Sequence, residues 1–339
     1  MRLCMLYMCC VVASCAYAHD THSIVNALYC VSPVRVLRTL VLPAHEYGNG
    51  ARDVCRHGIP VDASTMLDYQ LYALCLDRAH EITFNDLSHA DMHYGTFIIL
   101  FQGNGVPTCR DNVVYNYAEN ILRGAASENR NSYVLRFTYR NVGASTGTFR
   151  TIDDLYKDGR AVCNYLINTH GIPAEHIICY GHSIGGAIAT RVVADMHAHT
   201  PPKRCYLRGD RAIAYIDGFF PDRIIPREYM PVSNRISRFP VRMALRWCGL
   251  YPDVCQAWTS IPAEYKDFRS AINDSVIPQT ASLYQAVTEH EPWNLRGRMR
   301  RAHDLITGAH MDSAFMREAW DGKLLTTTVR DRLDHLELN

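Results

Sequence analysis

The feature that most constrains this chain is the alternation of apolar strands with helices between residues 94 and 216. Thr96 to Phe101 is a nearly continuous apolar run, as expected of a strand buried on both faces of a parallel sheet. A helical segment follows from about Asn112 to Arg123, and Ser132 to Tyr139 reads as a second strand. Thr151 to His170 has a helical pattern. Thr151 is placed to cap its N-terminus, and Asp153 and Asp154 sit in the first turn, where carboxylates suit the helix dipole. His176 to Tyr180 gives a third strand, Gly185 to Met196 a third helix and Ala212 to Ile216 a fourth strand. This order implies βαβ units and a mostly parallel sheet. Right-handed crossovers then place helices on both faces. The expected class is α/β.

The chemistry concentrates at one turn of that framework. Gly181-His182-Ser183-Ile184-Gly185-Gly186 matches G-x-S-x-G, and it falls between the third strand and the third helix. That strand-to-helix context is what a nucleophile elbow requires. The turn is so tight that the positions two residues either side of the serine must lack bulky side chains, a demand met by Gly181 and Gly185. Ser183 is then presented beside a helix N-terminus, whose dipole favours developing negative charge. A glycine-rich turn can also cradle phosphate, but neither a lysine nor G-x-G-x-x-G spacing accompanies this one. Phe101-Gln102-Gly103-Asn104-Gly105 directly follows the first strand, and its small residues allow close backbone approach to a substrate oxygen. The Asn104 and Ile184 N–H groups are the expected oxyanion donors, and losing one such donor costs about 10²–10³ in rate.

These motifs carry a resemblance. Phe101-Gln102-Gly103-Asn104-Gly105, then Tyr139-Arg140-Asn141-Val142-Gly143-Ala144-Ser145-Thr146-Gly147, then the G-x-S-x-G-G turn resemble the α/β-hydrolase group typified by membrane-associated depalmitoylating serine hydrolases. That group's usual forms are H-G-N-G, Y-R-G-Y-G-x-S-x-G and G-x-S-x-G-G. The chain is also similar to lipase-like secreted effectors of intracellular bacteria, which share the Q-G-N-G variant. The resemblance is close over residues 94 to 200 and loose elsewhere. Gln102 stands where histidine is usual, and Asn141 replaces a glycine. The resemblance implies an α/β-hydrolase fold with a mostly parallel central sheet, flanking helices and a cap insertion. It also implies a triad in the order nucleophile, acid, histidine. For the acid, Asp274 in Ile272-Asn273-Asp274-Ser275-Val276-Ile277-Pro278 fits the family's loop after a strand. Asp217, at the end of the expected fourth strand, is the alternative. For the base, His310 in Thr307-Gly308-Ala309-His310-Met311 follows a short apolar run, with His303, His290 and His335 as competitors.

Composition narrows the field further. Of 339 residues, 48% are hydrophobic and the net charge is +1, so the chain has ample apolar material for a core and no basic face of the kind nucleic acid requires. The densest basic cluster, Arg296, Arg298, Arg300 and Arg301, reads as a solvated segment. No HExxH or tetrahedral histidine set is present, and the chemistry needs neither metal nor cofactor. Residues 219 to 262 break the strand–helix rhythm with prolines, arginines and aromatics, and are expected to form a cap within a single domain covering 19–339. Its apolar character favours an acyl or lipid-like ester or thioester as substrate; a peptidase-type hydrolase, or a non-catalytic binding protein on the same fold, is the alternative, as a long ordered connection is for the cap.

At the N-terminus, an apolar run from Leu3 to Ala18 ending Ala16-Tyr17-Ala18 describes a secretory signal peptide. Val12-Ala13-Ser14-Cys15 within it also resembles a lipoprotein box, which would lipidate Cys15 and bring the protein to a membrane surface. An apolar strand or helix opening a cytoplasmic domain is the alternative. Cleavage after Ala18 would leave an odd number of the 13 cysteines, and only Cys248 and Cys255 are spaced to suggest a disulfide.

Overall fold

The computed structural model describes residues 57–75, 78–103, 131–216, 254–271, 281–290 and 298–302, with single positions at 118, 119, 121, 122, 242, 243, 246, 249, 251, 252, 274 and 277. The expected leader, residues 1–18 with Cys15, lies outside these residues.

Among the described residues, nine strands form one sheet: β1 (Gly58–Asp62), β2 (Thr65–Cys75), β3 (Arg78–Ile82), β4 (Thr96–Phe101), β5 (Ser132–Phe137), β6 (Ile177–His182), β7 (Tyr206–Asp210), β8 (Lys266–Ala271) and β9 (Arg298–Ala302). Their order is β1-β2-β5-β4-β6-β7-β8-β9, with β3 also paired to β2. From β5 to β9 every pairing is parallel, whereas β2 is antiparallel to β5, to β1 and to β3. The apolar run at β4 is covered on both faces: Phe97, Ile98 and Ile99 are fully buried. Antiparallel strands such as β2 alternate instead, with Leu67, Tyr69 and Leu71 inside and their neighbours more exposed.

Five helices are described: α1 (His89–Tyr94), α2 (Ile152–Asn164), α3 (Ile184–His197), α4 (Val254–Ser260) and α5 (Leu283–His290). Thr151 takes the extended conformation of an N-cap, and the Asp154 carboxylate accepts the Arg150 and Thr151 N–H groups at 2.8 and 3.1 Å. The helix expected to reach His170 is α-helical only to Asn164, and continues as one wider π turn over Tyr165–Thr169. Of the helix expected at 112–123, the described positions 118, 119, 121 and 122 are helical, and Ala118, Ile121 and Leu122 are buried.

The fourth parallel strand is Tyr206–Asp210, not Ala212–Ile216. The apolar run at 212–216 is buried because it packs behind the start of α3, with only an isolated bridge from Ile213 to Ser282. The true strand escaped notice because it carries Arg208 and Asp210, both buried charges. Most of the segment expected to form a cap, 219–262, lies outside the described residues. Val254–Ser260 is a helix packed on α3 as part of the crossover from β7 to β8, and Trp258 is fully buried under Lys266, whose Nζ donates to the Trp258 carbonyl at 2.6 Å.

Cys163 and Cys179 are buried as free thiols in α2 and β6, in accord with their apolar reading. Cys255 Sγ donates to the Tyr215 hydroxyl at 3.5 Å, and Cys248, its suggested disulfide partner, lies outside the described residues.

Candidate active site

Because β4, β6 and β8 run parallel, the segments that follow them leave the sheet at one edge. That edge collects Gln102 and Gly103 after β4, Ser183 after β6 and Asp274 after β8. Ser183 is the turn itself. Its φ of 56° and ψ of −124° lie outside the regions that L-residues favour, a conformation costing about 1–3 kcal/mol that persists only when neighbours enforce it. The enforcing bonds are visible. The Ser183 N–H donates to the Asp210 carbonyl at 3.1 Å, and the Ser183 carbonyl accepts from the Gly186 and Ile213 N–H groups at 3.1 and 3.4 Å.

The two glycines of the motif are required by contact. A Cβ on Gly181 would lie 2.5 Å from the Gly186 Cα, and one on Gly185 would overlap the carbonyl oxygens of Phe101 and Gln102. The loop after β4 is therefore pressed against the first turn of α3. Gly103 reaches Ser183 from the same side: a Cβ there would sit 3.1 Å from both the Ser183 Cβ and the His182 Nδ1. Ile184 is the first residue of α3, where helix geometry leaves its N–H without an intrahelical acceptor and available to a developing oxyanion. His182 is buried on β6, opposite Asp210 in register.

Asp274 lies just beyond β8, partly buried, and its Oδ1 accepts the Ile277 N–H at 2.8 Å. The Asn104 position, the alternative acid Asp217, and the histidines His303, His310 and His335 lie outside the described residues; β9 ends at Ala302. His290 ends α5.

The loop after β5 leaves the same edge of the sheet, with β4 between it and the elbow. Asn141 has a φ of 61°, the left-handed conformation that glycine adopts freely and asparagine tolerates best among the other residues. Its place in the motif is explained by that tolerance. Arg140 is buried and anchors the loop to α2: Nε and Nη2 donate to Asp158 Oδ1 at 2.8 and 2.6 Å, and Nη1 to Asp154 Oδ1 at 3.3 Å. Ser145 Oγ donates to the Thr138 carbonyl at 2.7 Å and accepts the Asp68 N–H at 2.8 Å, tying the loop back to β2.

One cluster near the serine was not anticipated from sequence. Asp210 and Arg211, at the end of β7, are almost fully buried directly behind Ser183. Burial alone would raise the Asp210 carboxyl, but the Arg211 guanidinium, the nearby His182 and the Tyr180 hydroxyl outweigh it and hold the group below the ordinary aspartate range. No motif announces this pair, because it reaches the elbow through strand register.

A strained serine in a glycine-flanked strand-to-helix turn, at the carboxyl edge of this strand order, is the arrangement of one family. The model of the alpha/beta hydrolase family matches residues 113–336, well over half of the chain. This chain belongs to the alpha/beta hydrolase family. Among solved structures, the hydrolase is similar to the esterase Pf2001 of Pyrococcus furiosus, at 14% identity with a TM-score of 0.52, covering 84% of this chain and 95% of that one. It is also similar to XC6422 of Xanthomonas campestris, described as a serine hydrolase without a lid, at 16% identity and a TM-score of 0.45, covering 84% and 97%. At these identities the likeness is one of fold. No curated protein matches the sequence. Among the described residues of the hydrolase, no group of three or more His, Cys, Asp and Glu could hold a metal ion, and no helix is long and apolar enough to cross a membrane.

Proposed function

We propose that the protein is a serine hydrolase cleaving an ester or thioester with an acyl-chain or lipid-like substrate. The observation that carries this reading is the backbone of Ser183, held at positive φ at the carboxyl edge of the sheet with Gly103 against its Cβ. In this reading His310 takes the Ser183 proton as Oγ attacks the substrate carbonyl, and Asp274 orients the imidazole and stabilises its charged form. The Ile184 and Asn104 N–H groups receive the oxyanion. The alcohol or thiol leaves with the proton from His310, and water then repeats the sequence on the acyl-enzyme, releasing the acid and restoring Ser183. Support for Asp274 comes from its loop, two strands beyond that of the nucleophile and opening at the same edge. Asp217 is the alternative acid. A lipid at Cys15, or export by cleavage after Ala18, would deliver the enzyme to a membrane surface or beyond it.

The test is hydrolysis of p-nitrophenyl esters of increasing chain length, with fluorophosphonate labelling alongside, for the wild type, Ser183→Ala and His310→Ala. Turnover and labelling that vanish in Ser183→Ala support the reading. A folded wild type that neither labels nor turns over any ester or thioester removes it. The depalmitoylase-like resemblance is tested by chain length: a preference for long acyl thioesters supports it, and short-ester activity alone opposes it.

A further inference from the structure

The elbow is strained, so something must hold it, and the segment from Asp210 to Ala214 is built to do so. We propose that Asp210 and Arg211 are positioning residues: a buried ion pair that braces Ser183 and links it to the loop carrying Asp274. The inference rests on the hydrolase reading and adds to it two residues that do not touch substrate.

The brace grips the nucleophile through the backbone on both sides. The Asp210 carbonyl accepts the Ser183 N–H, and the Ile213 N–H donates to the Ser183 carbonyl. Between these two points the chain must turn sharply, and Arg211 makes the turn at a φ of 48°, a conformation an arginine does not adopt unaided. Its side chain supplies the aid. The guanidinium folds back on the preceding residue, Nε donating to Asp210 Oδ1 at 3.1 Å and Nη2 to Oδ2 at 3.3 Å, with both side chains almost fully buried. The Tyr180 hydroxyl, from the strand that ends at the elbow, donates to Asp210 Oδ2 at 3.0 Å. Ion pair, turn and nucleophile strand are thereby closed into one unit.

The far side of the same segment is pinned to the chain that follows Asp274. The Ala214 N–H donates to the Ala281 carbonyl at 2.8 Å, and the Leu283 N–H to the Ala212 carbonyl at 3.0 Å. One segment therefore stands between Ser183 and the acid-bearing loop, hydrogen-bonded on both sides. A displacement of about 1 Å in a catalytic group can cost about 10²-fold in rate, so a brace at this place is expected to act on turnover more than on substrate affinity.

The experiment compares Asp210→Asn, Arg211→Met and the double variant with the wild type. Thermal unfolding, kcat and KM for a p-nitrophenyl ester, and the rate of fluorophosphonate labelling are measured. Each single variant removes one charge of the buried pair and is expected to lose stability. The double variant removes both charges, so its stability returns toward that of the wild type. A brace predicts that kcat and labelling rate in the double variant nevertheless stay down, by about 10–100-fold with KM within about twofold. Recovery of kcat together with stability would overturn the proposal, because the pair would then matter only to folding. If the single variants do not fold, the double variant carries the decision, with Tyr180→Phe as a milder second, expected to lower kcat without raising KM. A wild type inert to esters and probe would remove the hydrolase reading instead. The brace is then decided by crystal structures of wild type and double variant: Ser183 leaving its positive φ supports it, and an unchanged Ser183 overturns it.

Discussion

Two loops leave the same edge of the sheet, one after β5 and one after β6 with β4 between the two strands, and the residues within each shape it by opposite means. The elbow after β6 depends on atoms that are missing: Gly181 and Gly185 let backbone lie on backbone, and no side chain could fit between. The loop after β5 depends on atoms that are present, the Arg140 guanidinium reaching Asp158 and Asp154 on α2. Both contain a non-glycine residue at positive φ, Ser183 and Asn141. The comparison teaches that strain at a functional edge can be restrained by close contact or by buried charge. The first kind fails when something is added, and the second when something is removed.

The largest expected effect breaks the second kind. Arg140→Ala leaves Asp158 buried without its cation, while Asp154 keeps Lys157 at 3.6 Å, and should cost about 3–5 kcal/mol in urea denaturation. A loss below about 1 kcal/mol would mean that the loop stands without its charges. Gly185→Ala breaks the first kind by pushing on the Phe101 and Gln102 carbonyls. It should cost about 1–3 kcal/mol by overpacking and lower ester turnover by about 10²-fold, since the loop it displaces faces the nucleophile. Unchanged turnover would show that the loop after β4 has no part in the chemistry.

Smaller effects sharpen the comparison. Asn141→Val forces a β-branched side chain into the left-handed region and should cost about 1–2 kcal/mol, whereas Asn141→Gly should leave the melting temperature close to that of the wild type. Equal effects would mean that backbone conformation does not select the residue there. The opposite end of β5 offers an exposed counterpart to Arg140. Asp91 accepts from Ser88, Tyr133 and Asn131 at 2.6, 2.7 and 2.6 Å, and these hydrogen bonds, Ser88 first, hold its carboxyl at about 2 against an ordinary 3.8. A depressed folded value means that its contribution is complete above about pH 4 and is lost as the pH falls toward 2. Asp91→Asn should flatten that part of the acid-unfolding curve slightly. A wild-type slope retained in the variant would show that another carboxylate produces it.

Much of this architecture was legible in the chain. The β4 run is apolar because both its faces are covered, and the boundaries Thr96–Phe101 follow from hydrophobicity alone. The elbow was legible for a different reason: a turn that tight admits so few residues that Gly181, Ser183 and Gly185 mark it. β7 was not legible, because Arg208 and Asp210 break its apolar pattern; Asp210 is buried with Arg211 beside it and with the Tyr180 hydroxyl, which lies 30 residues away along the chain.

What the sequence determined by itself is local. It set the period of each helix and strand, the glycines that permit the elbow, and the candidate nucleophile beside a helix N-terminus. These follow from the sterics and hydropathy of neighbouring residues. What only the tertiary structure decided is the company Ser183 keeps. Strand register places Asp210 beside His182, and a turn at Arg211 brings Ile213 back to the serine carbonyl. The crossover through α4 carries the chain to β8, whose loop presents Asp274 at the same edge. Such contacts join residues distant along the chain, and pairing between strands, which no local pattern encodes, selects them.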